Sequence, residues 1–188
     1  MIFLTADTHY SHHKVIEYCN RPFSSVEEMN EALIANWNRV VKPIDTIYHL
    51  GDFALCKPAQ AIEIAKRLNG HKHLIFGNHD KSLRKSKEFL DLWESTQDLK
   101  EIKVSDETAL TGARKIVMCH YPLLTWNGSS YLNFSTHGHC HGNLFDDPHA
   151  LRCDVGVDCW NYTPVSFEQI RDKLNTKTFK PIDHHKAD

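Results

Sequence analysis

Short clusters of metal-binding side chains recur along the sequence, separated by longer apolar segments. The clusters are Asp7-Thr8-His9, Gly51-Asp52, Gly77-Asn78-His79-Asp80, His120 and Gly138-His139-Cys140-His141-Gly142. As ligands they offer two carboxylates, one amide oxygen and four or five imidazoles, which is more than one tetrahedral ion can use. The set suits two divalent ions with mixed oxygen and nitrogen ligands, one carboxylate lying between them. Two ions about 3.5–4 Å apart can clamp a phosphoryl group and activate water.

The elements that must position these clusters alternate between strands and helices. Apolar runs predict strands over residues 1–6, 45–50 and 72–76, each ending at a cluster. Apolar stripes and start signals predict helices over residues 12–19, 24–42, 58–68 and 84–95. In an extended chain, side chains two apart share a face, so Asp7 and His9 could reach one ion together, and His139 and His141 could face the same side.

The second half of the chain has a different pattern. Strands are predicted over residues 99–104, 108–110, 115–119 and 151–155, followed by a helix that starts near Ser166. We therefore expect a layered α/β domain whose second half is mostly antiparallel. A single domain should cover residues 1–179, with a flexible tail at 180–188.

Composition narrows the class of partner. The chain has 188 residues, and its 22 Lys and Arg against 24 Asp and Glu leave a formal charge of −2. That balance gives no general attraction to nucleic acid or to an anionic membrane. Six cysteines without a Cys-x-x-Cys pair, together with no apparent signal peptide or membrane span, predict reduced thiols and a cytoplasmic location. The oligomeric state stays open.

The clusters occur in the order D-x-H, G-D, G-N-H-D, H and G-H-x-H between Asp7 and His141. This series resembles the calcineurin-like metallophosphoesterase superfamily. The stretches Asp-Thr-His-Tyr-Ser-His near the start and Val-Gly-Val-Asp-Cys-Trp-Asn-Tyr near residue 160 resemble its small single-domain bacterial and phage members. The resemblance implies a β-sandwich flanked by helices.

The resemblance also implies roles for individual residues. One metal would be bound by Asp7, His9 and His141. The other would be bound by Asn78, His120 and His139. Asp52 would bridge both, a hydroxide shared by the metals would attack phosphorus, and His79 would protonate or stabilise the leaving group. Manganese is the expected metal, with iron, nickel, zinc and magnesium as alternatives, because mixed ligands accept all of them.

Residues near the clusters allow more than one interpretation. His12 and Arg21 could touch a substrate phosphate, or could be solvated loop residues. Asp80 could support the active-site histidines from behind, and His49 could do the same or be a hydrogen-bonded core residue.

The expected substrate is a small or nucleotide-like phosphomonoester or phosphodiester. After Gly51-Asp52 comes Phe53-Ala54-Leu55-Cys56, without the further Asp and Arg of the protein phosphatases, which argues against a phosphoprotein. One alternative is a binding scaffold of the same fold with little catalysis, although no ligand is missing. Another is a nuclease acting on nucleic-acid ends, against which the lack of net positive charge argues mildly.

Overall fold

The computed structural model of the protein describes residues 1–182. In chain order its strands are β1 (Ile2–Thr5), β2 (Thr46–His49), β3 (His71–Ile75), β4 (Ser95–Gln97), β5 (Leu99–Ser105), β6 (Ala113–Cys119), β7 (Phe134–His137), β8 (Arg152–Asp154) and β9 (Val165–Ser166). Its helices are α1 (His13–Tyr18), α2 (Val26–Val40), α3 (Pro58–Lys66), α4 (Lys87–Leu90) and α5 (Phe167–Leu174). The strands form a first sheet ordered β4-β3-β2-β1-β9 and a second sheet ordered β5-β6-β7-β8.

Alternating side chains of the first sheet enter two separate cores. Phe3 of β1 and Ile47 of β2 belong to a buried cluster that includes Leu33 and Trp37 of α2. Leu4, the next residue of β1, belongs to a second cluster. The first sheet is therefore covered by helices on one face and by another layer on the opposite face.

The second sheet forms that opposite layer. Ile116 and Met118 of β6 and Phe134 of β7 share a cluster with Leu4 of β1 and with Ile170 of α5. Two sheets packed face to face and flanked by helices confirm the predicted α/β layered sandwich.

The helices begin where capping chemistry predicts. The Ser25 hydroxyl accepts from the Glu28 N–H at the start of α2, and Pro58 occupies the first turn of α3. Ser166 and Gln169 form a capping box that opens α5.

The prediction of a mostly antiparallel second half is wrong. Only β5 and β6 pair antiparallel in the second sheet, whereas β6–β7 and β7–β8 are parallel. The missed strand β7 explains the error, because its Ser135, Thr136 and His137 are buried polar residues that form no apolar run.

Two further element predictions also fail. The helix expected over residues 84–95 is reduced to α4, because the Glu94 N–H donates to the Lys72 carbonyl (2.8 Å) and draws the following residues into β4. The strand expected over residues 108–110 is a turn, in which the Thr108 N–H donates to the Asp106 carboxylate (3.0 Å) and Leu110 is exposed.

The end of the described chain lies against the body of the protein. The Lys180 N–H donates to the His149 carbonyl (3.0 Å). Most of the predicted tail, residues 183–188, lies outside the described residues, so the flexible tail stays a prediction. All six cysteines are free thiols, as expected. Among the helices of residues 1–182, none has the length and apolar character needed to cross a bilayer.

Candidate metal centre

The predicted ligand clusters follow strands whose carboxyl ends meet at one edge of both sheets. Asp7 and Asp52 follow the parallel neighbours β1 and β2, and His120 follows β6. The Asp7 N–H donates to the Gly51 carbonyl (3.0 Å), and the His139 N–H donates to the Asp7 carboxylate (2.9 Å to Oδ2). Since His139 follows β7 of the second sheet, these bonds join the two sheets at the clusters.

Six of the predicted ligands lie in two groups, within each of which the donor atoms are no more than 4.8 Å apart. The first ligand group is Asp7, His9 and His141. The second ligand group is Asp52, His120 and His139. Asn78, the seventh predicted ligand, borders the second group, with its Oδ1 3.1 Å from His120 Nε2. Side chains from distant parts of the chain are thus gathered into two adjacent sets of donors.

The Asp52 carboxylate lies between the two groups. Its Oδ2 is 3.6 Å from His9 Nε2 and 3.4 Å from His120 Nε2, and the side chain is almost fully buried. Its Oδ1 accepts from the His79 N–H (2.8 Å). One oxygen of Asp52 therefore faces ligands of both groups while the other is tied to the backbone.

Five of the ligand residues have left-handed backbone conformations. The φ angles are +56° at Asp7, +48° at His9, +56° at Asp52, +70° at His139 and +48° at His141. The assumption of extended segments at these pairs is therefore wrong. Asp7 and His9 nevertheless lie in one ligand group, whereas His139 and His141 lie in different groups. A left-handed non-glycine residue costs about 1 kcal/mol or more, so the fold sustains strain at this site in order to aim its ligands.

Two glycines permit the turns to approach one another. A Cβ at Gly77 would lie 2.2 Å from Asp52 Oδ1 and 2.5 Å from the Asp52 nitrogen. A Cβ at Gly138 would lie 2.6 Å from Asp7 Oδ2 and 2.5 Å from the Ala6 Cβ. Any side chain at either position would displace a candidate ligand.

The first ligand group has the chemistry of a cation site. Within residues 1–182, neither ring nitrogen of the buried His9 has a hydrogen-bond partner, and burial holds its pKa well below the usual value, so the ring is neutral with a free lone pair. Burial also raises the pKa of Asp7 to about 7, because a carboxylate charge is unfavourable there without a cation. A divalent ion would satisfy both residues, so the donor set fits a bound metal.

Comparison with known proteins agrees with this geometry. The model of the calcineurin-like phosphoesterase family matches residues 1–176. The chain belongs to this family. Membership supports metal-dependent phosphoric ester hydrolysis as its class of activity, and it confirms the resemblance drawn from the ligand clusters.

Individual relatives extend over nearly the whole chain. An uncharacterized protein of Methanocaldococcus jannaschii is 39% identical over 180 residues, which cover 90% of this chain and 88% of the relative. The Gene 66 protein of Mycobacterium phage L5 is 25% identical over 195 residues, which cover 92% of this chain and 93% of the phage protein. A crystal structure of a protein of unknown function from Aquifex aeolicus, 24% identical, superposes with a TM-score of 0.64 over 93% of this chain and 98% of that one. The last similarity concerns the fold alone.

Two imidazoles of the candidate site are oriented by hydrogen bonds at their Nδ1 atoms. His120 Nδ1 donates to the Leu50 carbonyl (2.7 Å), so its Nε2 faces Asp52. His141 Nδ1 lies 2.7 Å from Asp158 Oδ2. A hydrogen bond at one ring nitrogen determines which nitrogen remains available as a ligand.

Asp80 accepts hydrogen bonds from two of the turns that carry candidate ligands. Its Oδ2 accepts from the Asp52 N–H (2.9 Å) and the Gly77 N–H (2.8 Å), and its Oδ1 accepts from the Phe53 N–H (2.9 Å). Asp80 thus supports the backbone that carries Asp52, and among residues 1–182 it forms no hydrogen bond with a histidine ring.

His49 is buried and takes part in hydrogen bonds that reach backbone groups of two turns. The Gly51 N–H donates to its Nδ1 (3.2 Å), so its Nε2–H donates to the Thr8 hydroxyl (2.9 Å), which donates in turn to the Phe53 carbonyl (2.8 Å). Burial lowers its pKa to about 3, consistent with a neutral ring. This chain links the turns after β1 and β2.

His79 and His12 border an open pocket of about 350 Å³ above the ligand groups. The rings of both residues lie 5.3 Å from the His9 ring, centroid to centroid. His79 is exposed, and its backbone is fixed to Asp52. Both side chains are therefore placed where a substrate could be reached.

Arg21 does not reach that pocket, which corrects the prediction that it touches substrate. Its side chain is fully buried and donates to both carboxylate oxygens of Asp158, each at 2.8 Å. With its donors used inside the protein, the guanidinium has no free face for a phosphate.

Sequence reasoning missed two residues beside the ligands, Asp158 and Cys19. Both lie close to His141, with candidate donor atoms of all three within 4.8 Å of one another. Asp158 falls in the Val-Gly-Val-Asp stretch already similar to small family members, and that stretch was the available signal. Nothing in the sequence around Cys19 distinguishes it.

Proposed function

We propose that the protein hydrolyses a small phosphate monoester or diester, using two divalent ions held by the two ligand groups. The observation that supports this most directly is the position of Asp52, whose Oδ2 faces a histidine of each group. A single carboxylate oxygen between two sets of donors suits a shared ligand.

Each of the two proposed ions would be held by one of the two ligand groups. The first ion would take the first ligand group, and the second would take the second ligand group with Asn78, Asp52 serving both. When bound, such a pair supplies an activated water and neutralises the charge that develops on the phosphoryl oxygens. Manganese is the proposed metal, with iron, nickel, zinc and magnesium as alternatives, because a set of mixed oxygen and nitrogen donors accepts all of them.

His79 is proposed to move the proton at the leaving group. The bond from water oxygen to phosphorus forms as the bond to the leaving oxygen breaks, and a ring nitrogen of His79 donates its proton to that oxygen. The proton that the attacking water loses passes to solvent, and the His79 ring regains a proton from solvent. The His79 N–H bond to Asp52 Oδ1 sets the position of this residue relative to the ligands. His12, on the same rim, would contact the non-reacting part of the substrate.

The pocket supports a small ester rather than a folded phosphoprotein. Its volume of about 350 Å³ suits a nucleotide-sized molecule. The segment after Asp52 runs into the protein interior. Phe53 and Ala54 are buried, and Ala54 forms an isolated β-bridge with Tyr10. That segment places no charged side chain over the pocket. Tyr18, at the rim of the pocket, is 67% exposed, and its ring could contact an aromatic leaving group.

An activity screen with matched variants tests this function. With added manganese, the protein should hydrolyse at least one of three substrate types: aryl monoesters, aryl diesters or cyclic nucleotides. Asp52→Asn and His139→Ala should abolish turnover. His79→Gln should lower kcat about 10²- to 10⁴-fold while binding manganese as the wild type does. No hydrolysis of any substrate with any of manganese, iron, nickel, zinc and magnesium would contradict the proposal.

A further inference from the structure

A buried ion pair lies behind the first ligand group. Arg21 Nε is 2.8 Å from Asp158 Oδ1, and Nη2 is 2.8 Å from Oδ2, so the pair is bidentate. The two residues are 137 positions apart in the chain. Their side chains are 0% and 8% exposed. Such a pair has a fixed geometry, because the planar guanidinium matches both carboxylate oxygens.

The carboxylate of this pair determines how His141 can act. Asp158 Oδ2 accepts from His141 Nδ1 at 2.7 Å. The Nδ1 proton is therefore held by Asp158, and Nε2 is left as the nitrogen that can bind an ion. A carboxylate behind a ligating imidazole also increases its strength as a donor.

The guanidinium of the same pair holds the rest of the first ligand group. Arg21 Nη2 donates to the Asp7 carbonyl (2.7 Å), and Nη1 donates to the Thr8 carbonyl (3.0 Å). These carbonyls belong to the turn that carries Asp7 and His9 in left-handed conformations. Arg21 therefore stabilises the strained backbone, while Asp158 orients the ring.

A competing interpretation assigns Asp158, His141 and Cys19 to a further metal ion, since their donor atoms lie within 4.8 Å of one another. The geometry disfavours it. Asp158 Oδ2 already accepts from both Arg21 and His141, and a cation at that oxygen would lie beside the buried guanidinium charge.

We propose that the Arg21–Asp158 pair is a positioning device that sets the affinity of the first ligand group for its ion. This inference rests on the proposed two-ion function. It predicts a defect in one ion only, because neither Arg21 nor Asp158 is hydrogen-bonded to a residue of the second ligand group among residues 1–182.

The chain offers a matched control for this pair. Arg114 Nε lies 2.8 Å from Asp106 Oδ2, with side chains 6% and 0% exposed. Arg114 also bonds a backbone carbonyl, that of Leu132, as Arg21 bonds those of Asp7 and Thr8. Asp106→Asn therefore removes a similar buried ion pair that has no contact with a candidate ligand.

The experiment is a calorimetric titration of the metal-free protein with manganese, with the melting temperature measured for each variant. Wild-type protein should bind two ions. Asp158→Asn should raise the Kd of one ion about 10- to 100-fold and leave the other unchanged. Asp106→Asn should also melt at a lower temperature but bind both ions as the wild type does.

A spectroscopic measurement on wild-type protein keeps the test valid even if Asp158→Asn does not fold. In the zinc-loaded protein, long-range ¹H–¹⁵N correlations should show the His141 proton on Nδ1, with the signal assigned by its loss in His141→Gln. A proton on Nε2 would overturn the inference. So would unchanged affinities for both ions in a folded Asp158→Asn variant. If wild-type protein binds no divalent ion, the proposed function itself fails.

Discussion

The two ligand groups are supported in different ways. The first depends on side chains, because Asp158 orients His141 and Arg21 holds the carbonyls of Asp7 and Thr8. The second depends on a strand end for the orientation of one ring and on one side chain, Asp80, for the position of one turn. The Leu50 carbonyl, at the end of β2, orients His120, and Asp80 holds the turn that carries Asp52 through backbone N–H groups.

Because of this difference, a substitution can remove the group that orients His141 but not the group that orients His120. A backbone carbonyl at the end of a central strand cannot be removed by substitution without disturbing the sheet. A buried ion pair can be removed by changing one residue. The orientation of the His141 ring is therefore open to sequence variation, whereas the orientation of the His120 ring is tied to the fold.

The largest expected effect comes from filling the space beside the shared ligand. In Gly77→Ala the new Cβ must push Asp52, whose Oδ1 and backbone nitrogen are both within 2.5 Å of it. In Gly138→Ala the new Cβ must displace the carboxylate of Asp7, which is a ligand of the first group alone. A displacement of about 1 Å can cost about 100-fold in rate. We expect kcat/KM to fall at least that far in both. Gly77→Ala should weaken both ions, whereas Gly138→Ala should weaken the ion of the first ligand group more than the other, because His139 of the second group follows Gly138 directly.

Gly112→Ala serves as the control for these two variants. Gly112 also has a left-handed backbone, with φ +68°, but a Cβ there would meet no atom of residues 1–182 within 4 Å. Its variant should lose stability and keep its activity and both ions. If Gly77→Ala and Gly138→Ala weakened the same single ion, Asp52 could not be shared between the groups.

A smaller effect is expected from Asp80→Asn. Asp80 accepts from two buried N–H groups and one partly buried N–H group, and an amide has only one oxygen to offer them. At least one N–H is left unsatisfied, which costs about 1–3 kcal/mol of the free energy of unfolding in a urea titration. Because Asp80 holds the turn of Asp52, both ions should weaken, in contrast to the single ion affected by Asp158→Asn. If Asp80→Asn weakened one ion only, Asp80 and Asp158 would not differ in the number of ions that they support.

The smallest expected effect is the pH dependence of the stability that the Arg114–Asp106 ion pair contributes. Burial opposes ionisation of Asp106, but hydrogen bonds from Thr108 and Arg114 outweigh it and hold the pKa of this carboxylate below its usual value. A depressed folded pKa gives stability that is present above the unfolded pKa, about 3.9, and is lost as pH falls through the folded pKa. The stability difference between wild type and Asp106→Asn, measured by urea unfolding, should therefore shrink as pH falls below about 4. A difference that stays constant down to pH 2 would show that the pair contributes nothing through ionisation.

Much of the first sheet could be predicted because its signals are local. Apolar runs mark β1, β2 and β3, and Gly or polar residues end each run. The strand β7 could not be predicted in this way, since Ser135 and Thr136 are buried through pairing on both sides by strands from elsewhere in the chain. The convergence of Asp7 with His9 was predicted for the wrong reason, because their left-handed φ angles are imposed by contacts between turns.

Arg21 shows where local reasoning stops. An arginine that follows a histidine-rich segment is a reasonable candidate for a phosphate contact. Its actual partner, Asp158, lies 137 residues away, and no pattern around either residue reveals the pairing.

The types and order of the donors, and their places after apolar strands, were determined by the sequence alone, because these depend on residue chemistry and short-range periodicity. Only the tertiary structure decided which nitrogen of His141 is free, which oxygen of Asp52 faces both groups and which face of Arg21 is occupied. Each of these depends on hydrogen bonds between segments that are remote in the chain. Such bonds form only when the two sheets close on one another.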